Sequence, residues 1–246
     1  MFANDFERDG FSMLENINDY ISYIPSCEVP ISGEVGIIKG KKTTYLFDVG
    51  STSECLNYLY SLEGKMQIVI SHFHGDHTWW LTKHREGEKG MLPGDTLSTS
   101  YEPVKYEKLY IGKSTEKYLP DGEIITEPFV IEDETPSGIP LKFEIIPMPS
   151  SHTKGCLALS INDEYVFLGD ATYCRYIAEN ENGDGHAEYN VQKLKEQIDV
   201  LKSIKAEKCL VSHEKRFMRP KKVVIRQLEA IYERRLPGEN VIKLEK

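Results

Sequence analysis

Short runs of β-branched and other apolar residues, bounded by glycine, proline and charged turns, recur along this chain and predict strands. After a polar lead-in over 1–20, such runs cover 21–27 and 34–38, and Lys39-Gly40-Lys41-Lys42 turns the second back into 43–48. Three strands joined by short turns predict an antiparallel start to a sheet. Ser51 with Glu54 three residues later matches a capping box, and 52–62 then places Leu56, Leu59 and Tyr60 on one face of a helix. The run 65–71 contains Ile68-Val69-Ile70 and predicts a buried strand. Further strands are predicted at 109–111, 126–131 and 141–146, with a short helix at most over 115–118. A hairpin follows, 156–161 and 165–168, turning on Asn162-Asp163-Glu164. Residues 191–203 direct Leu194, Ile198 and Leu201 to one side, as an amphipathic helix does. A strand at 208–211 and a last helix at 223–235 complete the pattern. Two stretches show neither period: 85–106, rich in Gly, Glu, Ser and Thr, and the acidic 178–189. Both predict loops, the first of a length that often serves as a lid.

Composition narrows this picture in a few respects. The 246 residues suffice for one large domain, 1–246. A net charge of −9 argues against nucleic acid as a partner. No apolar stretch approaches eighteen residues, so no membrane-spanning helix and no membrane partner are expected. The acidic start lacks the basic and apolar segments of a signal peptide. Cys27, Cys55, Cys156, Cys174 and Cys209 are an odd, scattered set without a Cys-x-x-Cys spacing. Reduced, mostly buried thiols in a cytoplasmic protein are therefore expected. Oligomeric state is not set by any of these features.

The chemistry concentrates in Ser71-His72-Phe73-His74-Gly75-Asp76-His77, between the strand at 65–71 and a helix start at Thr78-Trp79-Trp80. Three imidazoles and a carboxylate within six residues form a dense set of metal ligands. His72 and His74 alternate on extended backbone and can point the same way. Gly75 then lets the chain turn, aiming Asp76 and His77 at a second point nearby. This arrangement suits two metal ions. Of the two tryptophans, one is expected in the core and one half-exposed. His84 and His186 read as surface histidines rather than ligands.

His72-Phe73-His74-Gly75-Asp76-His77 resembles the signature of the metallo-β-lactamase superfamily, and other pieces follow in that family's order over roughly 30–215. Asp48 with Val49-Gly50 is similar to its Asp-x-Gly. His152 stands in a Ser/Thr loop, Asp170 ends a strand after Gly169, and His213 ends another after Ser212. The resemblance implies an αββα sandwich in four layers, two mixed sheets flanked by helices. It also implies that His72, His74 and His152 hold one divalent ion and Asp76, His77 and His213 a second, with Asp170 bridging. The ligand set suits zinc first, with iron and manganese as alternatives. Asp48 is then expected to hold a metal-bound histidine by its far N–H, to satisfy backbone donors in its turn, or both.

The activity implied is a dinuclear hydrolase acting on a small ester, lactone or thioester through a bridging hydroxide, with Asp76 orienting that hydroxide or carrying a proton. Tyr173, three residues after Asp170, is similar to the Asp-x-x-Tyr of acyl-homoserine-lactone lactonases and becomes a candidate catalytic donor. Lys215, Arg216 and Arg219 form a basic segment in an acidic protein, as in glyoxalase II-like enzymes. They are candidate contacts for an anionic small-molecule substrate, or a solvated helix start. A phosphodiesterase, a mono-iron sulfur dioxygenase and a non-catalytic metal-binding relic are the alternatives. The pattern departs from the flavin-linked diiron oxidases, which carry a glutamate where His74 stands.

Overall fold

The computed structural model describes residues 14–28, 31–83, 101–172, 178–179, 185–214 and 217–244. Its larger sheet has seven strands, in the order Glu15–Asn16, Ile21–Ile24, Val35–Lys39, Thr43–Phe47, Lys65–Val69, Lys108–Ile111 and Glu123–Ile124. The first four pair antiparallel, as the short turns predict. The rest run parallel, because connections carrying helices return each strand in the same direction. The second sheet orders six strands: Phe129–Glu134, Pro140–Met148, Cys156–Ile161, Tyr165–Gly169, Lys208–Val211 and Met218–Pro220. Only the pair joined through the helix Val191–Ser203, Tyr165–Gly169 with Lys208–Val211, is parallel.

The alternation of side chains along each strand makes this a sandwich. In Thr43–Phe47, Tyr45 and Phe47 face the other sheet, while Leu46 faces outward. In Cys156–Ile161, Leu157, Leu159 and Ile161 face inward, while Cys156 and Ala158 face outward. The inner faces meet in an aromatic core in which Tyr45 lies 4.2 Å from Phe143 and Phe47 lies 5.4 Å from Phe167, centroid to centroid. Outside the first sheet, Leu56 and Leu59 of the helix Ser53–Ser61 pack with Trp80 on Ile37, Leu46 and Ile68. Outside the second, Leu194, Ile198 and Leu201 pack with Val224 and Leu228 of the helix Lys221–Tyr232. Three apolar interfaces therefore separate four layers.

Local differences from the sequence pattern have physical causes. Thr52, not Ser51, caps the first helix, its side chain accepting from Cys55 N. Ser51 is diverted because its hydroxyl donates to Ile31 O. Tyr60 is exposed rather than packed, and its hydroxyl donates to Glu102 O. Trp80 is buried and Trp79 half-buried, as expected of such a pair. The short helical turn near 115 is Lys113–Thr115, and the last helix starts earlier than predicted, at Lys221. The acidic stretch 178–189 is not all loop: Gly185–Asn190 pairs antiparallel with Val241–Leu244, a strand that the sequence pattern does not reveal. Buried Tyr189 and Ile242 anchor this added sheet against the outer core. Of the stretch 85–106, residues 101–106 carry neither helix nor strand, and the remainder lies outside the described residues. Tyr173, Cys174, His84, Lys215 and Arg216 also lie outside them.

Candidate metal centre

The ends of four strands from both sheets converge at one edge of the sandwich. Thr43–Phe47 delivers Asp48, and Lys65–Val69 delivers the turn containing His72, His74, Asp76 and His77. From the second sheet, Tyr165–Gly169 delivers Asp170 and Lys208–Val211 delivers His213. His152 stands between Pro140–Met148 and Cys156–Ile161. Backbone bonds pin these turns together. Leu157 N donates to Ser71 O at 2.8 Å, Ser212 N to Gly169 O at 3.2 Å, and Val49 N to His77 O at 3.0 Å. Gly169 holds φ +50, and a Cβ there would lie 2.6 Å from Ser71 Cβ, so glycine is required where the two sheets' turns touch.

Seven side chains gather in two groups, His72 with His74 and His152, and Asp76 with His77, Asp170 and His213. In the first, His152 Nε2 lies 3.1 Å from both His72 Nε2 and His74 Nδ1. Three nitrogens converging at that separation match a cation bonded to each at about 2.0–2.1 Å. In the second, His77 Nε2 lies 3.4 Å from Asp76 Oδ2 and 3.4 Å from Asp170 Oδ1. His213 Nε2 lies 3.2 Å from Asp76 Oδ2 and 3.7 Å from Asp170 Oδ2. Asp170 joins the groups, because its Oδ2 also lies 3.4 Å from His152 Nε2.

Burial disfavours charge on the first group. It pushes His72 well below the ordinary imidazole value, lowers His74, and takes His152 down to about 4. All three are thus neutral at pH 7, with a lone pair to offer. Around His77 burial works the same way, but Asp170, Asp48 and Asp76 outweigh it and favour the charged ring. His213 is raised despite burial by its bond to Asp76 and by Asp170. Asp76 and Asp170 fall below the carboxylate range against their own burial, chiefly because of His77. Buried His77 Nε2 and Asp170 Oδ1 have no hydrogen-bond partner among the described residues. They face each other at 3.4 Å without hydrogen-bond geometry, and a cation between them would satisfy both.

The surroundings fix these side chains. Asp48 Oδ2 accepts from His77 Nδ1 at 2.7 Å and from Ser71 Oγ at 2.7 Å, and its Oδ1 accepts from Ser71 N at 2.7 Å. It therefore both holds a clustered histidine and satisfies a backbone donor. His213 adopts φ +56, an uncommon backbone for a non-glycine residue. Buried Glu34 accepts from its N–H at 3.1 Å and from the Ser212 hydroxyl. Gly33 lies against His77, where a Cβ would come 2.4 Å from Cε1. The sequence pattern assigned no role to Gly33, Glu34 or Ser71. A buried glutamate at the head of an apolar strand was the available signal for Glu34, but its partners lie 178 and 179 positions away.

Arg219 stands apart from the cluster. Its strand Met218–Pro220 sets it opposite Cys209, which faces the outer helices. There it lines a separate cavity of about 530 Å3 with Glu214, Gln227 and Arg234, lies 3.8 Å from Glu214 Oε1, and meets none of the seven clustered side chains. The side chain of His186 is not among those described.

No protein-family model matches the chain, and no curated protein matches it. Solved structures do. A metallo-β-lactamase from Pontibacter korlensis superposes with a TM-score of 0.57 at 12% identity, covering 90% of this chain and 99% of that one. The DIM-1 metallo-β-lactamase gives 0.53 at 13%, covering 89% and 96%. A variant flavo di-iron protein from Thermotoga maritima gives 0.57 at 14% and covers 92% of this chain, which spans only 62% of that protein's length. At such identities the likeness is one of fold: the chain has the metallo-β-lactamase fold, with a His/Asp site suited to metal ions at its edge.

Proposed function

We propose that this protein is a metal-dependent hydrolase that cleaves a small ester, lactone or thioester with two divalent ions, zinc before iron or manganese. One observation carries the reading: His72, His74 and His152 converge beside Asp76, His77 and His213, with Asp170 between them, its Oδ2 3.4 Å from His152 Nε2 and 3.7 Å from His213 Nε2. Bound there, such ions lower the pKa of water to give a nucleophile at neutral pH and polarise a scissile carbonyl. The chain's own residues supply the rest. Asp48 keeps the His77 proton on Nδ1 and so presents Nε2 to the site. Asp76, buried beside His77 and His213 and held as a carboxylate, would orient the nucleophile and pass a proton to the leaving group.

The test is elemental analysis of metal-reconstituted protein, joined to turnover on a matched lactone, thioester and phosphodiester. Close to two ions per chain with lactone or thioester turnover is expected. A persistent single ion would overturn the dinuclear assignment, and turnover of the phosphodiester alone would move the reading to phosphorus chemistry. A redox reading is the second choice: the fold is shared with a flavo di-iron protein, although His74 stands where the flavin-linked diiron oxidases carry a glutamate. Native iron with oxygen uptake, and no hydrolysis, would establish it.

A further inference from the structure

Beside His152 lies an open cavity of about 630 Å3, large enough for a small organic molecule. His152 and Phe73, the residue between His72 and His74, are among its lining residues, so it borders the histidine group at His152. Phe73 gives the lining an aromatic ring, itself stacked on Tyr118 with centroids 4.8 Å apart and planes 13° from parallel.

The charges around it are one-sided. Lys117, Lys154 and Lys193 line the cavity against a single carboxylate, Glu188, in a protein whose net charge is −9. Glu188 already has Lys243 at 3.9 Å. The three lysines come from separate segments: the turn after Lys113–Thr115, the His152 turn, and the first turn of Val191–Ser203. They are therefore not the solvated face of one helix. Fixed backbone holds two of them. Ser114 Oγ donates to Lys154 O, and Asn190 Oδ1 accepts from Lys193 N at 2.9 Å. Among the described residues no carboxylate pairs with Lys117 or Lys154, and Lys193 has only exposed Glu196 at 3.5 Å. Lys117 Nζ lies 4.6 Å from the Tyr118 ring centroid and 5.9 Å from that of Phe73. The three exposed ammonium groups border one cavity, where an anion could meet more than one of them.

We propose that this cavity holds the non-reacting arm of the substrate. That arm carries an apolar or aromatic section against Phe73 and ends in an anionic group, carboxylate or phosphate, met by Lys117, Lys154 and Lys193. The proposal rests on the hydrolase reading for its reaction, but the anion site can be tested without turnover.

The probes are inert amides measured by calorimetry on metal-loaded protein: 4-acetamidophenylacetate, its uncharged amide 4-acetamidophenylacetamide, and 4-acetamidobenzylphosphonate. At least one anionic probe should bind about tenfold more tightly than the uncharged one, as expected from three partly screened charge pairs. The preference should shrink as salt is raised. The combined variant Lys117→Ala, Lys154→Ala, Lys193→Ala should lose it while keeping wild-type metal content, melting temperature and affinity for the uncharged probe. Lys205→Ala, on a distant exposed lysine, should keep it. Which anion is preferred decides between carboxylate and phosphate. Equal binding of charged and uncharged probes, no binding of either anion, or a preference that survives in the combined variant would each overturn the site. The acetyl thioesters of 4-mercaptophenylacetate and 4-mercaptophenylacetamide separate the two readings. Charge-selective binding without turnover of these thioesters, or of the matched lactone, leaves the anion site standing and removes the hydrolase. Turnover of both with equal KM does the reverse.

Discussion

Asp48→Asn changes no shape and isolates one job, the orientation of His77. Asparagine tolerates the φ of +63 that Asp48 adopts, so the backbone has no reason to move. Its amide offers one acceptor oxygen where the carboxylate had two. The Ser71 backbone N–H, 2.7 Å from Oδ1, can only donate, so it claims that oxygen. The new NH2 group must then face Ser71 Oγ and His77 Nδ1, each 2.7 Å from the old Oδ2. The serine hydroxyl can rotate to accept. The imidazole can accept only by moving its proton from Nδ1 to Nε2, the atom turned toward Asp76 and Asp170. A protonated Nε2 is no ligand. Loss of such an outer partner typically weakens a metal site about 10–100-fold, or about 1.4–2.7 kcal/mol. Stepwise chelator competition with Zn²⁺ should show that loss in one of two binding steps, the one served by Asp76, His77 and His213. Urea denaturation of metal-free protein, run alongside, checks that the fold survives. Wild-type affinity in both steps would refute the tautomer argument.

Four further outcomes are expected. Gly33→Ala drives a methyl into the fully buried His77 ring, which Asp48 prevents from yielding; overpacking of this kind costs about 1–3 kcal/mol, read from the urea midpoint with metal content as a second readout. Glu34→Ala leaves the His213 N–H and Ser212 hydroxyl without their acceptor, so stability should fall by about 1–3 kcal/mol and metal affinity with it; calorimetry showing neither would remove Glu34 from the support of His213. In metal-free protein, NMR should find His152 titrating near 4 and His213 above 6.5. His72, His74 and His152, with lowered folded values, stabilise above 6.5 and lose that contribution as pH falls through those values, about 4 for His152, whereas His77 and His213 stabilise below 6.5 and lose theirs as pH rises through their folded values. Finally, burial pushes the Cys209 thiol up to about 12 and raises Cys55 and Cys156, so iodoacetamide at pH 8 should label half-buried Cys27 and reach those three only after denaturation, as mass spectrometry would show.

What the sequence determined by itself was local. Periods of two and 3.6 residues fix which side of a strand or helix is apolar, so Thr43–Phe47, Cys156–Ile161 and Val191–Ser203 could be read almost to the residue. The density of His72, His74, Asp76 and His77 in one turn announced metal chemistry before any packing was known, because a strand–turn–helix presents its turn at a sheet edge. The sandwich, with His152, Asp170 and His213 joining that turn, was legible through motif order and resemblance. Its registers were not. Tertiary structure decided everything that depends on which distant segments touch. It brought Glu34 under His213 and Gly33 against the His77 ring. It turned Arg219 to the outer face by pairing it with Cys209. It gathered Lys117, Lys154 and Lys193, unremarkable as single surface residues, around one cavity. It made a strand of Gly185–Asn190 by giving it Val241–Leu244 as a partner. The physical reason is common to all of them: periodicity records the face a residue presents, while the group it meets there is chosen by backbone pairing and core packing between segments far apart in the chain.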